Sequence, residues 1–141
     1  MVKARKKNNH RGIVTLETAL VLALILLPLT FGVIEYGWLF LKSQQITNAA
    51  RNGARVAIRS GSTTAIVESS IEYLMASAGM AKIKCGYVVT YPLGNVGSVA
   101  VGQPLTVRVE VLRANVDAMN FPFIPKPTNL GASVTMSQEG P

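Results

Sequence analysis

The stretch GIVTLETALVLALILLPLTFGVIEYGWLFL, residues 12–41, decides the fold of this protein. It is apolar except for Glu17, Glu35 and a few small polar residues, and no charged residue lies between the two carboxylates. As a helix, residues 13–41 would be about 43 Å long, which exceeds the roughly 30 Å of a bilayer's hydrocarbon core. The pattern therefore predicts one transmembrane helix, in which Pro28 removes a backbone hydrogen bond and bends the helix without ending it.

Basic residues are concentrated in a short leader, residues 1–12. The chain carries a formal net charge of +7, and five of its 14 lysines and arginines precede Gly12. Without them nine basic residues face seven acidic ones, a net charge of +2, which argues against nucleic-acid binding by the body of the protein. Positive charge beside a span is typical of the cytoplasmic side. Although Lys42 and three arginines follow the span, the denser leader predicts a cytoplasmic N-terminus, with residues 42–141 outside the cytoplasm.

Aromatic residues gather where the predicted span ends. Tyr36 and Trp38 are expected to anchor the helix at the far membrane interface, where amphipathic rings are enriched. Glu35 lies about 33 Å along the helix from Ile13 at the standard rise. We therefore expect its carboxylate in the headgroup layer, where Lys42 or a partner could pair with it and no special role is required.

The helix is predicted to continue through KSQQITNAARNGARVAIRS, residues 42–60, which contain no proline. One face carries apolar and small residues at helical spacing, namely Ile46, Ala49, Ala50, Gly53, Ala54 and Ala57. On another face Arg51, Arg55 and Arg59 recur every four residues. This basic stripe is either a solvated surface or a docking face for a partner or for lipid headgroups.

Residues 61–141 predict a small α+β domain. The segment SGSTT, residues 60–64, breaks the first helix and offers a cap for a second helix over residues 64–79, which Gly79 ends. From residue 86 the apolar period changes to two. This period predicts strands over residues 86–92, two within 97–113 around a Gly-Gln-Pro turn, and a last one over 131–138. The proline-rich segment 120–129 predicts a loop that packs through Phe121, Phe123 and Ile124.

Few residues are suited to catalysis or metal binding. Cys85 is the only cysteine, so we expect a buried thiol, with an intermolecular bridge as the alternative. His10 is the only histidine, which excludes a histidine-rich metal site and a Ser/His/Asp triad. The sequence shows no nucleophile–base pair and no phosphate-binding loop. We therefore expect no enzymatic activity, no cofactor and no bound metal.

The order of leader, glycine, glutamate and span points to a family. Gly12 to Glu17, GIVTLE, resembles the type IV prepilin processing motif, in which a peptidase cuts after the glycine. The longer stretch RGIVTLETALVLALILLPLTFGVIEYGWLFLKSQQITNAARNGARVA, residues 11–57, resembles the TadE-like family of pilin-related proteins. The matching elements are Arg11-Gly12, Glu17, the proline-interrupted span, GVIEYGWL and TNAARNGARVA. Thr18 stands where the family usually has an aromatic residue.

The resemblance implies a pilin-like α+β fold: a long N-terminal membrane-spanning helix, a second short helix, and a small antiparallel sheet of three to four strands. It implies a pseudopilin or minor pilin subunit that acts in assembly of a tight-adherence pilus or related secretion machinery. Such a protein is held in the bacterial inner membrane and cut between Gly12 and Ile13 by a prepilin peptidase. Its further partners would be other pilin-like subunits, the inner-membrane assembly platform and the lipid bilayer.

The resemblance suggests a role for Glu17 in processing or assembly. A charge costs about 2.5–3.5 kcal/mol at the bilayer centre, less near its surface, and the positive end of the helix dipole offsets part of that cost. If cleavage frees the amine of Ile13, Glu17 can pair with it or with a neighbouring subunit's amine, which would set axial register. The alternative is that Glu17 only extends to the near interface without a partner.

Other classes of protein fit less well. A cleaved secretory signal peptide has a shorter apolar region than this one. The main alternative is a single-pass, membrane-anchored scaffold or adaptor protein that is not processed.

Overall fold

The computed structural model describes residues 10–118 and 125–139. The chain divides into two compact units, Met1–Ile34 and Glu35–Pro141. The described elements are α1 (His10–Ala57), α2 (Thr64–Ser77), α3 (Lys82–Cys85), β1 (Val88–Leu93), β2 (Pro104–Leu112), a 3₁₀ turn (Arg113–Asn115) and β3 (Asn129–Ser137). A long N-terminal helix, a shorter second helix and a three-stranded antiparallel sheet confirm the predicted α+β class.

The described part of the first unit is a single stretch of α1. The helix begins at His10, inside the predicted leader, and contains Pro28. All described side chains from Ile13 to Phe31 are exposed, so this stretch has no buried face. The threonine hydroxyls are bonded within the helix, since Thr18 Oγ1 donates to Val14 O and Thr30 Oγ1 to Leu26 O, both at 2.9 Å. Apart from the exposed Glu17, the surface of this stretch is therefore largely apolar on every side.

The second unit is built on the rest of α1. The apolar face predicted from the sequence is confirmed, because its members are all buried: Ile46, Ala49, Ala50, Gly53, Ala54 and Ala57. Helix α2 packs closely at Gly53, where an added Cβ would lie 2.6 Å from Ile71 Cδ1. Small residues on α1 thus let the two helices approach closely.

Both ends of α2 follow from its sequence. Thr63 has extended backbone angles and its side chain accepts a hydrogen bond from Ile66 N at 3.5 Å, as expected of an N-cap. At the other end Met80 N donates to Met75 O at 2.7 Å across Gly79, whose φ is 74°. This is a Schellman ending, in which glycine adopts the left-handed conformation at no steric cost. The predicted break and the predicted stop at Gly79 are both confirmed.

The sheet covers the core with strand order β1-β2-β3. In β2 the alternating residues Leu105, Val107, Val109 and Val111 are buried, as their period of two predicts. Strand β3 pairs antiparallel along the whole length of β2, with Val107 opposite Val134. The predicted last strand is therefore confirmed.

Three details of the predicted C-terminal part differ. The first of two strands expected within 97–113 is wrong, because that segment turns repeatedly and both Gly97 and Gly102 have φ of 81°. Pro92 lies inside β1 rather than ending it, near a register shift of an edge strand, where a missing N–H is tolerated. The four-residue helix α3 has no counterpart among the predicted elements. The expected packing of Phe121, Phe123 and Ile124 lies outside the described residues.

Candidate functional site

The predicted processing motif lies on the first turns of α1. Gly12, Ile13 and Glu17 are all exposed, and an added Cβ on Gly12 would meet no atom within 4 Å. Ile13 and Glu17 are four residues apart, which places them about 6 Å apart along the axis on one face. Among the described residues Glu17 takes part in no ion pair. The arrangement leaves both residues accessible to another protein, and their roles remain predictions.

The two residues predicted as interfacial anchors lie on α1 in the second unit. Tyr36 is 48% exposed, and its hydroxyl donates to Pro125 O at 2.5 Å. Trp38 is 39% exposed, and its Nε1 donates to Val116 O at 2.8 Å. Both polar groups are therefore satisfied by carbonyl oxygens of the second unit, while much of each ring stays exposed. A ring of this kind suits an interface, and the anchoring role stays a prediction.

Glu35 forms a buried ion pair. The carboxylate is 1% exposed, and Lys126 Nζ lies 2.6 Å from its Oε1 atom. Of the two pairings considered from the sequence, the structure shows one with a partner other than Lys42, while the expected position of Glu35 in the headgroup layer stays a prediction. Lys42, the partner considered from the sequence, instead donates to Ala78 O at 2.7 Å and lies over the Trp38 ring.

The ion pair belongs to a larger charged cluster. Lys126 Nζ also lies 3.8 Å from Asp117 Oδ2, and Arg113 forms an ion pair with the same aspartate. Side-chain exposure is 3% for Lys126 and 8% for Asp117, so most of the cluster is withdrawn from solvent. The pairing crosses 91 positions of sequence, which local spacing does not reveal. The only available signal was a lone acid in an otherwise uncharged run.

Two arginines of the basic stripe, Arg51 and Arg55, are exposed on the side of α1 away from its buried face. Arg59 is also exposed but lies in the turn after α1, because the helix ends at Ala57, three residues before the predicted end of the extension at residue 60. None of them forms an ion pair with another residue of the described ranges 10–118 and 125–139. The structure is thus compatible with both the solvated and the docking interpretation.

Two tyrosines of the second unit have perturbed acidity. Burial, followed by the nearby charge of Glu68, raises the pKa of Tyr91 to about 12. Burial raises the pKa of Tyr87 as well, and Glu72 and Glu68 add to the effect. Both shifts have the sign expected when the charged form is desolvated or repelled.

The described part of the chain shows no candidate metal-binding site and no exposed cysteine. That part contains no group of three or more His, Cys, Asp or Glu side chains close enough to hold an ion. Cys85 is 1% exposed, which confirms the expected buried thiol.

Among the described helices, α1 is long and apolar enough over Gly12–Ala57 to cross a membrane, and the most apolar stretch of 18 residues in it contains no buried residue. Residues 12–55 match the model of the family described as TadE-like protein. This match confirms the family resemblance over the segment that carries GIVTLE and the span. No curated protein and no solved structure matches the chain.

Proposed function

We propose, from the TadE-like character of residues 12–55, that this chain is a pilus-related membrane protein: a pseudopilin or minor pilin of a tight-adherence system. The observation that carries the proposal is the N-terminal part of α1, which holds a glycine–glutamate pair of prepilin spacing in its first turns and then exposes apolar side chains on every side. In this view the chain is a structural subunit and not an enzyme.

Energetics support membrane insertion of α1. Fourteen large apolar side chains between Ile13 and Ile34 are exposed. Leaving such a side chain in water costs about 1.5–3 kcal/mol, so their total far exceeds the 5–15 kcal/mol that typically stabilises a domain. A bilayer removes this cost, and the helix satisfies its own backbone groups there, as a lipid-exposed segment must.

Charge distribution supports the orientation. The basic leader of residues 1–12 would stay in the cytoplasm of a bacterium, with the span in the inner membrane. The second unit, with its sheet and basic stripe, would then lie outside the cytoplasm. It would meet other pilin-like subunits and the inner-membrane assembly platform there.

Processing after Gly12 would give the exposed Glu17 a partner. Glycine is the weakest helix former apart from proline, so the first turn of α1 opens more readily at Gly12 than elsewhere. Cleavage by a prepilin peptidase would leave a charged amine on Ile13, one turn from the Glu17 carboxylate. Pairing within one chain or between chains would offset the cost of a carboxylate near the membrane.

N-terminal sequencing of the membrane-bound protein tests this function. The mature chain should begin at Ile13, and Gly12→Ala should retain the leader. Gly32→Ala is the matched control, because Gly32 also lies in α1 with no atom within 4 Å of an added Cβ. A wild-type chain that begins at Met1 in cells with an active prepilin peptidase would favour the unprocessed scaffold instead.

Glu17→Ala separates insertion from assembly. We expect the variant to reach the membrane and to be recovered in sheared pili at a lower level than wild type. Glu17→Gln keeps the shape but not the charge, so it should behave like Glu17→Ala if pairing with an amine matters. Normal recovery of both variants would rule out the pairing role.

A further inference from the structure

An apolar groove opens beside α1 in the second unit. It is lined by Tyr36, Gly37, Leu39, Phe40, Ser43, Pro127 and Leu130, and its volume is about 520 Å³. This volume lies within the roughly 300–1,000 Å³ typical of ligand pockets. Gly37 lines the groove, and an added Cβ there would meet nothing within 4 Å, so a larger side chain has open space to enter.

Burial of Glu35 removes the one charge from this part of the helix surface. No other charged residue occurs between Glu17 and Lys42. Because Glu35 is 1% exposed, the exposed surface of α1 at the start of the second unit, residues 36–41, carries no charge. Phe40 is 66% and Leu41 48% exposed, which continues the apolar character up to Lys42.

Polar groups beside the groove are paired inside the protein. The Tyr36 hydroxyl and the Trp38 Nε1 group donate to backbone carbonyls, and Lys42 donates to Ala78 O. Charged groups at membrane depth are normally paired or face the protein interior, and the Glu35–Lys126 pair meets both conditions. These groups therefore do not require water in order to be satisfied.

We propose that this groove holds an acyl chain of a membrane phospholipid, with the bilayer surface near Lys42 and Ser43. The base of the second unit is then immersed in the bilayer, and the Glu35–Lys126 pair lies at membrane depth. The inference rests on the membrane anchoring proposed above. An acyl chain fits because the lining is almost entirely apolar and adjoins the exposed uncharged surface of residues 36–41.

Photolabelling of the full chain in liposomes tests the occupant directly. The probe is a phosphatidylcholine with a diazirine in one acyl chain, and labelled residues are mapped by mass spectrometry. We expect label on the span and also on Pro127 and Leu130, which are distant from the span in sequence. Gly37→Leu should abolish label at Pro127 and Leu130 but retain it on the span, whereas Gly32→Leu should retain both.

Trp38 provides a second measurement that needs no substitution, because it is the only tryptophan. Phosphatidylcholine brominated in the upper acyl chain should quench its emission strongly, and aqueous iodide should quench it weakly. This readout keeps the test decisive if Gly37→Leu fails to fold.

Each outcome bears on one proposal. Label on the span without label at Pro127 or Leu130, together with quenching of Trp38 by iodide, would overturn the groove and leave the anchor intact. Crosslinking of Ser43→Cys between two copies in place of lipid labelling would assign the groove to a second chain and also overturn it. A chain that stays in the aqueous fraction, with no label on the span, would defeat the proposed function itself.

Discussion

Replacing Lys126 by methionine removes the ammonium group that lies 2.6 Å from the Glu35 carboxylate. Both side chains are almost fully buried, at 3% and 1% exposure, so water has little access to the carboxylate that remains. Breaking a buried pair by removing one partner costs about 3–5 kcal/mol, because a charge stays buried without compensation. We expect Lys126→Met to lower the stability of the second unit by that amount.

The loss should be visible in thermal unfolding of the full chain in detergent micelles. At about 4 °C for each kcal/mol in a domain near this size, the expected decrease in Tm is roughly 12–20 °C. Trp38 is a suitable probe because it bonds to Val116, next to Asp117 of the charged cluster. Its emission and the far-ultraviolet circular dichroism should change together.

Two further variants distinguish the loss of the Glu35–Lys126 ion pair from a general effect of replacing a lysine. Lys84 is exposed, so Lys84→Met should change the free energy of unfolding by less than about 0.5 kcal/mol. Combining Lys126→Met with Glu35→Gln removes the uncompensated charge and should recover most of the lost stability. The reasoning is refuted if Lys126→Met and Lys84→Met lower the Tm equally. It is also refuted if the loss of stability in the double variant equals the sum of the losses in the two single variants.

Three other substitutions test packing, backbone conformation and titration in the second unit. Gly53→Ala places a methyl group 2.6 Å from Ile71 Cδ1 and should lower the stability of the protein in thermal unfolding by about 1–3 kcal/mol. Gly32→Ala should not lower it, because an added Cβ there meets no atom within 4 Å. Gly79→Ala forces alanine to a φ near 74° and should lower the free energy of unfolding by about 1–2 kcal/mol. Ser77→Ala, in the same last turn, is its control. An unchanged Tm for Gly79→Ala would argue against the helix ending seen at Gly79. Tyr91 has a pKa of about 12, above the ordinary value of 10, so its contribution to stability is complete below pH 10 and is lost as the pH rises to about 12. When the free energy of unfolding is measured across pH 9–12, the Tyr91→Phe variant should lose less stability at high pH than the wild type. If both proteins lose the same amount, Tyr91 is not the cause of the loss.

Local sequence patterns were sufficient for most elements of the fold. The long uncharged run predicts α1, and the period of two in residues 105–111 predicts β2 and its buried face, because each pattern depends only on residues along one element. Thr63 and Gly79 mark the ends of α2 for an equally local reason, since capping depends on neighbouring backbone groups. The missed turn at residues 97–103 shows the limit: valines there alternate, yet glycines at positive φ prevent a strand.

The motif of the candidate site was evident from sequence, whereas the environment of Glu35 was not. Gly12, Ile13 and Glu17 are recognised by spacing on one helix, and no distant residue is needed to find them. The partner of Glu35 lies 91 positions away, on the segment that leads into β3. Only the tertiary structure brings these two charges together, because burial of an ion pair depends on how separate elements pack. The same packing creates the groove, whose walls come from α1 and from residues beside and within β3.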